Sequence, residues 1–191
     1  MEAFIRYIVN IAATVDGDRL QPVYAVSGRA KLEESTVASL PGYRGMGPVR
    51  VGNQAYEQIQ HDVYGSVVMS ATQIFFDQRL QVTHGKKQFE LLEVQGQRAV
   101  ELYDQPDAGI WEYRGRARVH TFSSLMCWAG CDRLARIGHR LGLGERATYW
   151  REQADRIRAA ILEHGWSEEK NSFVDSFDGD HLDASMLLVH E

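Results

Sequence analysis

Residues 121–164, TFSSLMCWAGCDRLARIGHRLGLGERATYWREQADRIRAAILEH, decide the fold class. The first part reads as a helix over 121–142, opened by Thr121 or Ser123 as its cap and stopped at Gly142 or Gly144. The second, 145–164, places Trp150, Ala154, Ile157 and Ile161 on one face and Arg and Glu on the other, which is the helical period. A short link between two such helices makes a hairpin.

The same grammar extends outward. Residues 2–14 set Phe4, Ile5, Ile8 and Ile11 on one stripe, and Asp16-Gly17-Asp18 reads as the stop. Residues 54–80 read as one long helix. Its first half is amphipathic through Ala55, Ile59 and Val63, and its second half, VVMSATQIFF, is apolar on nearly all sides, as in a helix surrounded by other helices. Residues 86–102 give a further helix with Phe89, Leu92, Val100 and Leu102 inward. Between these lie long links over 19–53, 103–120 and 165–180, with short strands such as Val23 to Val26 expected in the first. A last helix is expected after Asp183, a good N-cap. Long and short links alternate, as a toroid of helical hairpins requires, and no fixed-period repeat points to a regular solenoid. The expected class is all-α.

Bulk properties narrow the function. The 191 residues suit one domain or a part of one, and a hydrophobic fraction of 44% can build a core. With 21 basic against 26 acidic residues and no basic block, the chain lacks the clustered positive charge that nucleic acid or an anionic membrane needs. No apolar stretch approaches the ~20 residues of a membrane span, and no signal-peptide pattern opens the chain. Cys127 and Cys131, four apart on a helix, have no companion ligands for zinc and read as two buried, reduced thiols of a cytoplasmic protein.

Three segments could carry chemistry. Loop 103–120 contains Tyr103-Asp104-Gln105-Pro106-Asp107-Ala108-Gly109-Ile110-Trp111-Glu112-Tyr113-Arg114-Gly115. A carboxylic acid beside aromatic faces suits glycoside cleavage, because the leaving oxygen needs a proton and sugar C–H surfaces pack on aromatic rings. Trp111 and Tyr113 are expected to desolvate Glu112 and keep it protonated. On spacing alone, an ordinary solvated loop carboxylate is the commoner case. In Pro41-Gly42-Tyr43-Arg44-Gly45-Met46-Gly47-Pro48-Val49-Arg50-Val51-Gly52-Asn53, the glycines allow close backbone approach and Arg50 and Asn53 can donate to hydroxyls. The spacing matches no phosphate-binding fingerprint, and a surface turn with solvated arginines competes with the binding reading. The third segment is Gln60-His61-Asp62-Val63-Tyr64-Gly65. His61 and His120 lack the carboxylate-histidine spacing of a metal site, so no metal is expected.

Taken in order, these motifs, with Thr121-Phe122-Ser123-Ser124-Leu125-Met126-Cys127-Trp128 and Leu182-Asp183-Ala184-Ser185, resemble glycoside hydrolase family 15 over nearly the whole chain. The family includes glucoamylase-like and bacterial trehalase-like members. The resemblance implies an (α/α)6 barrel of which residues 1–191 form a single, incomplete part. It also implies an inverting hydrolase of α-glucosides or oligosaccharides that uses no metal or organic cofactor. Glu112 is then the general acid and Trp111 the aromatic wall of a sugar subsite. Arg50, Asn53, Asp62 and Tyr64 fall in motifs near the pocket. Some glucoamylases carry a second Glu after the acid; Tyr113 stands there instead, which leaves trehalose and short oligosaccharides open. The family's upstream Arg-Asp clamp and downstream base Glu have no counterpart, and both chain ends read as cut within helices. The expectation is therefore the acid-bearing part of a longer enzyme, inactive by itself. Two other classes remain: a non-catalytic saccharide-binding domain, in which Glu112 is dispensable, and a helical interaction module, in which Trp111 is buried packing. Oligomeric state is not legible.

Overall fold

The computed structural model describes residues 2–14, 19–80 and 85–190. The 121–164 stretch forms the expected hairpin, here α4 (Thr121–Arg140) and α5 (Gly144–His164). Its turn is closed by backbone bonds from Gly142 N to His139 O (3.1 Å) and from Leu143 N to Gly138 O (2.9 Å). Gly142 sits at φ 71°. These are the paired bonds with which a helix satisfies its last carbonyls, and they require the left-handed backbone that glycine adopts freely. Trp150, Ala154, Ile157 and Ile161 are all buried, as the periodicity predicts.

Before this hairpin come α1 (Glu2–Thr14), α2 (Asp62–Phe76) and α3 (Lys86–Leu102). The only paired strands among the described residues are two short antiparallel ribbons, β1 (Ser35–Thr36) with β2 (Arg50–Val51) and β3 (Trp166–Ser167) with β4 (Ser172–Phe173). The fold is all-α, with those ribbons confined to the long links. Helix α4 lies at the centre, packed on α2, α3 and α5. One core joins Val68, Ile74 and Phe75 of α2 with Phe89 and Leu92 of α3, Leu134 and Ile137 of α4 and Ile157 of α5.

Two helices approach closely because neither has a side chain at the crossing. A Cβ on Gly65 would lie 1.8 Å from the carbonyl oxygen of Met126, and one on Gly130 would lie 3.0 Å from the Cα of Gly65. This crossing sets the distance between α2 and α4, whose N-terminal ends carry the long links.

Local expectations shift where tertiary bonds outcompete pattern. The helix expected over 54–80 begins only at Asp62. Gln54–Glu57 form a separate 3₁₀ turn capped by the Asn53 side chain, and Gln58 is extended. Backbone groups at Ile59 and His61 are taken by the 103–120 loop, through Ala108 N to Ile59 O (2.8 Å) and His61 N to Asp107 Oδ2 (2.8 Å). Thr121 and Ser123 do not cap α4. His120 stands at the cap position without a side-chain bond. Ser123 Oγ instead donates to Asp107 Oδ2 at 2.7 Å. The Val23 to Val26 region contains a turn, closed by Gly28 N to Ala25 O, rather than a strand. Phe4 is exposed while Ile5 is buried, so the α1 stripe is narrower than expected. After Asp183 the chain forms a 3₁₀ helix, Ala184–His190. The expected stop at Asp16-Gly17-Asp18 lies outside the described residues.

Replacing Gly65 with Ala should force the α2–α4 crossing apart, because the obstacle is backbone rather than a movable side chain. The expected loss is about 3 kcal/mol of unfolding free energy. Urea denaturation checks it, with Gly144→Ala, where a Cβ meets nothing, expected to be near neutral.

Candidate active site

The long links meet at one end of the helices. His120 bridges to Ser176, and Thr121 N donates to Asp175 O (3.0 Å), which ties the 103–120 loop to the 165–183 link. At the base of the loop stands Asp107, 1% exposed. Its backbone exchanges both bonds with Arg118, N to O at 2.8 Å and O from N at 3.1 Å. Its carboxylate accepts three more. Oδ2 takes His61 N (2.8 Å) and Ser123 Oγ (2.7 Å), and Oδ1 takes Gly109 N (3.1 Å). A buried carboxylate is tolerated when its lone pairs are filled in this way.

From that anchor the chain turns sharply. Gly109 has φ 67° and its Cα faces the His120 ring, so a Cβ there would come within 2.7 Å of His120 Cδ2. Glu112 N bonds Gly109 O (3.1 Å) and Tyr113 N bonds Ala108 O (3.1 Å), closing the turn. Glu112 itself is held at φ 56°. A non-glycine residue in this region carries strain on the order of 1 kcal/mol, which persists only when the surroundings over-determine it. Gln58 Nε2 supplies part of that constraint by donating to Glu112 O at 3.0 Å. Tyr113 stacks on His120 with centroids 5.7 Å apart, and the Arg116 guanidinium lies over the Tyr113 ring at 5.1 Å. Trp111 is 53% exposed, with its Nε1 donating to Asp183 Oδ2 at 2.8 Å. Exposure of Trp111 removes the buried-packing role that a helical interaction module would give it.

The structure gathers some of the sequence-selected residues and separates others. Glu112 is exposed at the turn, so Trp111 and Tyr113 do not cover it as expected; both rings are held aside by their own partners. Arg50 lies on β2 and pairs with Glu34 (3.1 Å), which also receives Arg114 (3.6 Å). Arg114 follows Glu112 by two positions, so the Glu34 carboxylate joins the glycine-rich segment to the 103–120 loop. Between them is a polar hollow of about 310 Å³ that Gln54 also lines. Asn53 is exposed beside it, its Oδ1 occupied by Ala55 N at 3.0 Å. Tyr64 belongs to the core at 3% exposure. Asp62 faces a different cavity, about 380 Å³ between α1 and α2, shared with Gln21, Gln60 and Tyr24.

Asp62 is a buried carboxyl whose Oδ1 has no hydrogen-bond partner. Burial, and secondarily the nearby charge of Asp107, push it up to about 6. Burial likewise lowers His61 and raises both thiols, Cys131 to about 12. Cys127 and Cys131 are free and buried, matching the inert reading. Among the described residues no group of His, Cys, Asp and Glu could hold a metal ion, and no helix is long and apolar enough to cross a membrane.

Sequence inspection passed over Asp107, Glu34 and Gln58. Asp107 left a signal in Asp107-Ala108-Gly109, where an Asp side chain accepting the amide two residues on is a standard local turn. Glu34 and Gln58 left none, because their partners are distant in sequence.

Comparison with known proteins gives this arrangement its context. The profile described as "Glycosyl hydrolases family 15" matches residues 2–191. The trehalase of Mycobacterium tuberculosis (strain ATCC 25618 / H37Rv) is 37% identical over 188 residues, covering 97% of this chain and 27% of that protein. The trehalase of Mycolicibacterium smegmatis is 33% identical over 97% of this chain and 28% of its own length. That of Thermoplasma volcanium is 30% identical over 90% of this chain and 27% of its own. The chain therefore spans little more than a quarter of the length of these relatives. No solved structure matches it significantly. The chain belongs to glycosyl hydrolase family 15, whose helical toroid accounts for the all-α hairpin architecture.

Two substitutions probe the buried carboxylates. Asp107→Ala strands two backbone donors and a hydroxyl, so a loss of about 3–5 kcal/mol is expected in urea unfolding, with faster amide exchange at Gly109. For Asp62 the sign is opposite. Its folded value lies above the ordinary 3.8, so the fold favours the neutral acid. Stability then falls as pH rises between about 4 and 6, and the full penalty is present above that. Two units of displacement correspond to about 3 kcal/mol, so Asp62→Asn should stabilise the chain at pH 7.5 by about 1–3 kcal/mol and change little at pH 4. Melting temperatures at the two pH values check this.

Proposed function

We propose, from this chain's place in glycosyl hydrolase family 15, that it is the acid-bearing part of an (α/α)6 catalytic domain that hydrolyses α-glucosides with inversion, trehalose among them. Glu112 is its general acid. The observation that carries this reading is the presentation of Glu112: a solvent-facing carboxyl held in a strained backbone conformation by a loop anchored on a buried charge. The trehalase names of the relatives supply the substrate class.

In the reaction, Glu112 donates its proton to the glycosidic oxygen as the C–O bond breaks. A water on the opposite face of the sugar attacks the anomeric carbon and loses its proton to a second carboxylate. Inverting pairs stand roughly 6.5–9.5 Å apart to admit that water. Glu112 is open to solvent in this chain, and the bound sugar and the remaining helices of the domain cover it. Trp111 offers a half-exposed face for the sugar ring, and Arg50 and Asn53 line the adjoining rim as hydroxyl partners. Asp62 and Tyr64 act from beneath, in the packing that sets the loops, rather than on the sugar.

The base lies outside these residues, so the purified 191-residue chain should bind trehalose or maltose weakly and hydrolyse neither, and Glu112→Gln should leave binding intact. General acid–base terms are worth about 10²–10⁴ each, enough that losing one partner leaves no practical turnover. Glucose release by the chain alone that disappears in Glu112→Gln would place the base within it. Binding lost in Glu112→Gln would instead make Glu112 a sugar ligand rather than an acid.

A further inference from the structure

We propose that Asp183 is the positioning residue of Trp111, fixing the indole plane at the rim beside Glu112 from a segment 72 residues away. The Leu182-Asp183-Ala184-Ser185 stretch otherwise has no task beyond starting a 3₁₀ helix. Its geometry shows two tasks divided between the two carboxylate oxygens. Oδ1 accepts from Ser185 N (2.7 Å) and from Ser185 Oγ, which caps the following helix and fixes the carboxylate's rotation. Oδ2 is thereby aimed outward and accepts Trp111 Nε1 at 2.8 Å.

The side chains along this stretch support the division. Leu182 and Ala184 face solvent, whereas Asp183 is half-buried and Ser185 buried, and Asp183 reaches the loop at Trp111. Trp111 needs the restraint. More than half of the residue is exposed, so packing alone does not determine its rotamer. A hydrogen bond to an ionised acceptor is directional and roughly twice as strong as a neutral one. It selects one orientation of a ring that would otherwise sample several. A platform held in one orientation presents its face to a sugar at lower entropic cost than a mobile one.

This inference rests on the reading of Trp111 as a sugar-facing residue, and the two can fail separately. Uniform incorporation of 5-fluorotryptophan gives one fluorine resonance for each of the four tryptophans, and Trp111→Phe assigns that of Trp111. Asp183→Ala should move the Trp111 resonance toward that of free fluorotryptophan while those of Trp150 and Trp166 stay in place. Asp183→Asn keeps a carbonyl acceptor and should restore part of the displacement. An unmoved Trp111 resonance in Asp183→Ala overturns the proposal. So does collapse of all four resonances together in both variants, since Asp183 would then hold the fold rather than the indole. Trehalose is the second probe: it should shift the Trp111 resonance of the unsubstituted chain, and Asp183→Ala should weaken that response by about three- to tenfold, the cost of ordering one mobile side chain on binding. If trehalose leaves the unsubstituted resonance unmoved, the sugar-binding reading fails while the fluorine shifts still decide the role of Asp183.

Discussion

The buried carboxylate of Asp107 is the constraint on which this end of the molecule depends. It sits where three segments would otherwise be independent: the entry to α2, the 103–120 loop and the first turn of α4. Each contributes one donor, His61 N, Gly109 N and Ser123 Oγ. A neutral acceptor could bridge two of them. An ionised one with four lone-pair sites can hold all three and strengthen each bond. The cost of burying the charge is offset only while every donor stays in place, so the three segments move as a unit or not at all.

Asp62 shows the same physics without the compensation. It lies one residue from the His61 amide that Asp107 captures, and it is nearly as buried. One of its oxygens has no partner, and the Asp107 charge is close by. Asp107 is met by three donors, whereas burial without them pushes Asp62 toward the neutral acid. The difference comes from which donors face which side chain.

The helices were legible in the sequence because their information is local and periodic. Trp150, Ala154, Ile157 and Ile161 declare the buried face of α5 without reference to anything distant. Two of the misreadings, the start of α2 and the cap of α4, share one cause. The pattern across 54–61 is helical in isolation, but Ile59 and His61 give their backbone groups to the 103–120 loop, and a helix cannot form from residues whose amides are already committed. Likewise Ser123 has the chemistry of a cap, yet its hydroxyl serves Asp107. Motif order points to Glu112 and Trp111, whereas Asp107 leaves only the local signal of its Asp-x-Gly turn. The contributions of Gln58, Glu34 and Asp183 arise from contacts spanning tens of residues, and no periodicity encodes those.

A general acid must be reachable, yet its geometry must not drift as substrate binds. These demands conflict on an ordinary loop, because exposure brings mobility. For Glu112, the proposed acid, the exposed group is separate from the groups that hold it. Glu112 keeps its carboxyl free while its backbone is bonded at the amide by Gly109 and at the carbonyl by Gln58. The neighbouring rings are held by other partners, Tyr113 by His120 and Arg116, and Trp111 by Asp183. Because the restraints act on main chain and flanking rings, none of them consumes the proton or the lone pairs that the proposed reaction needs. The positive φ at Glu112 belongs to the same arrangement: the turn closed on Gly109 and Ala108 holds this residue in a conformation that its own Cβ disfavours.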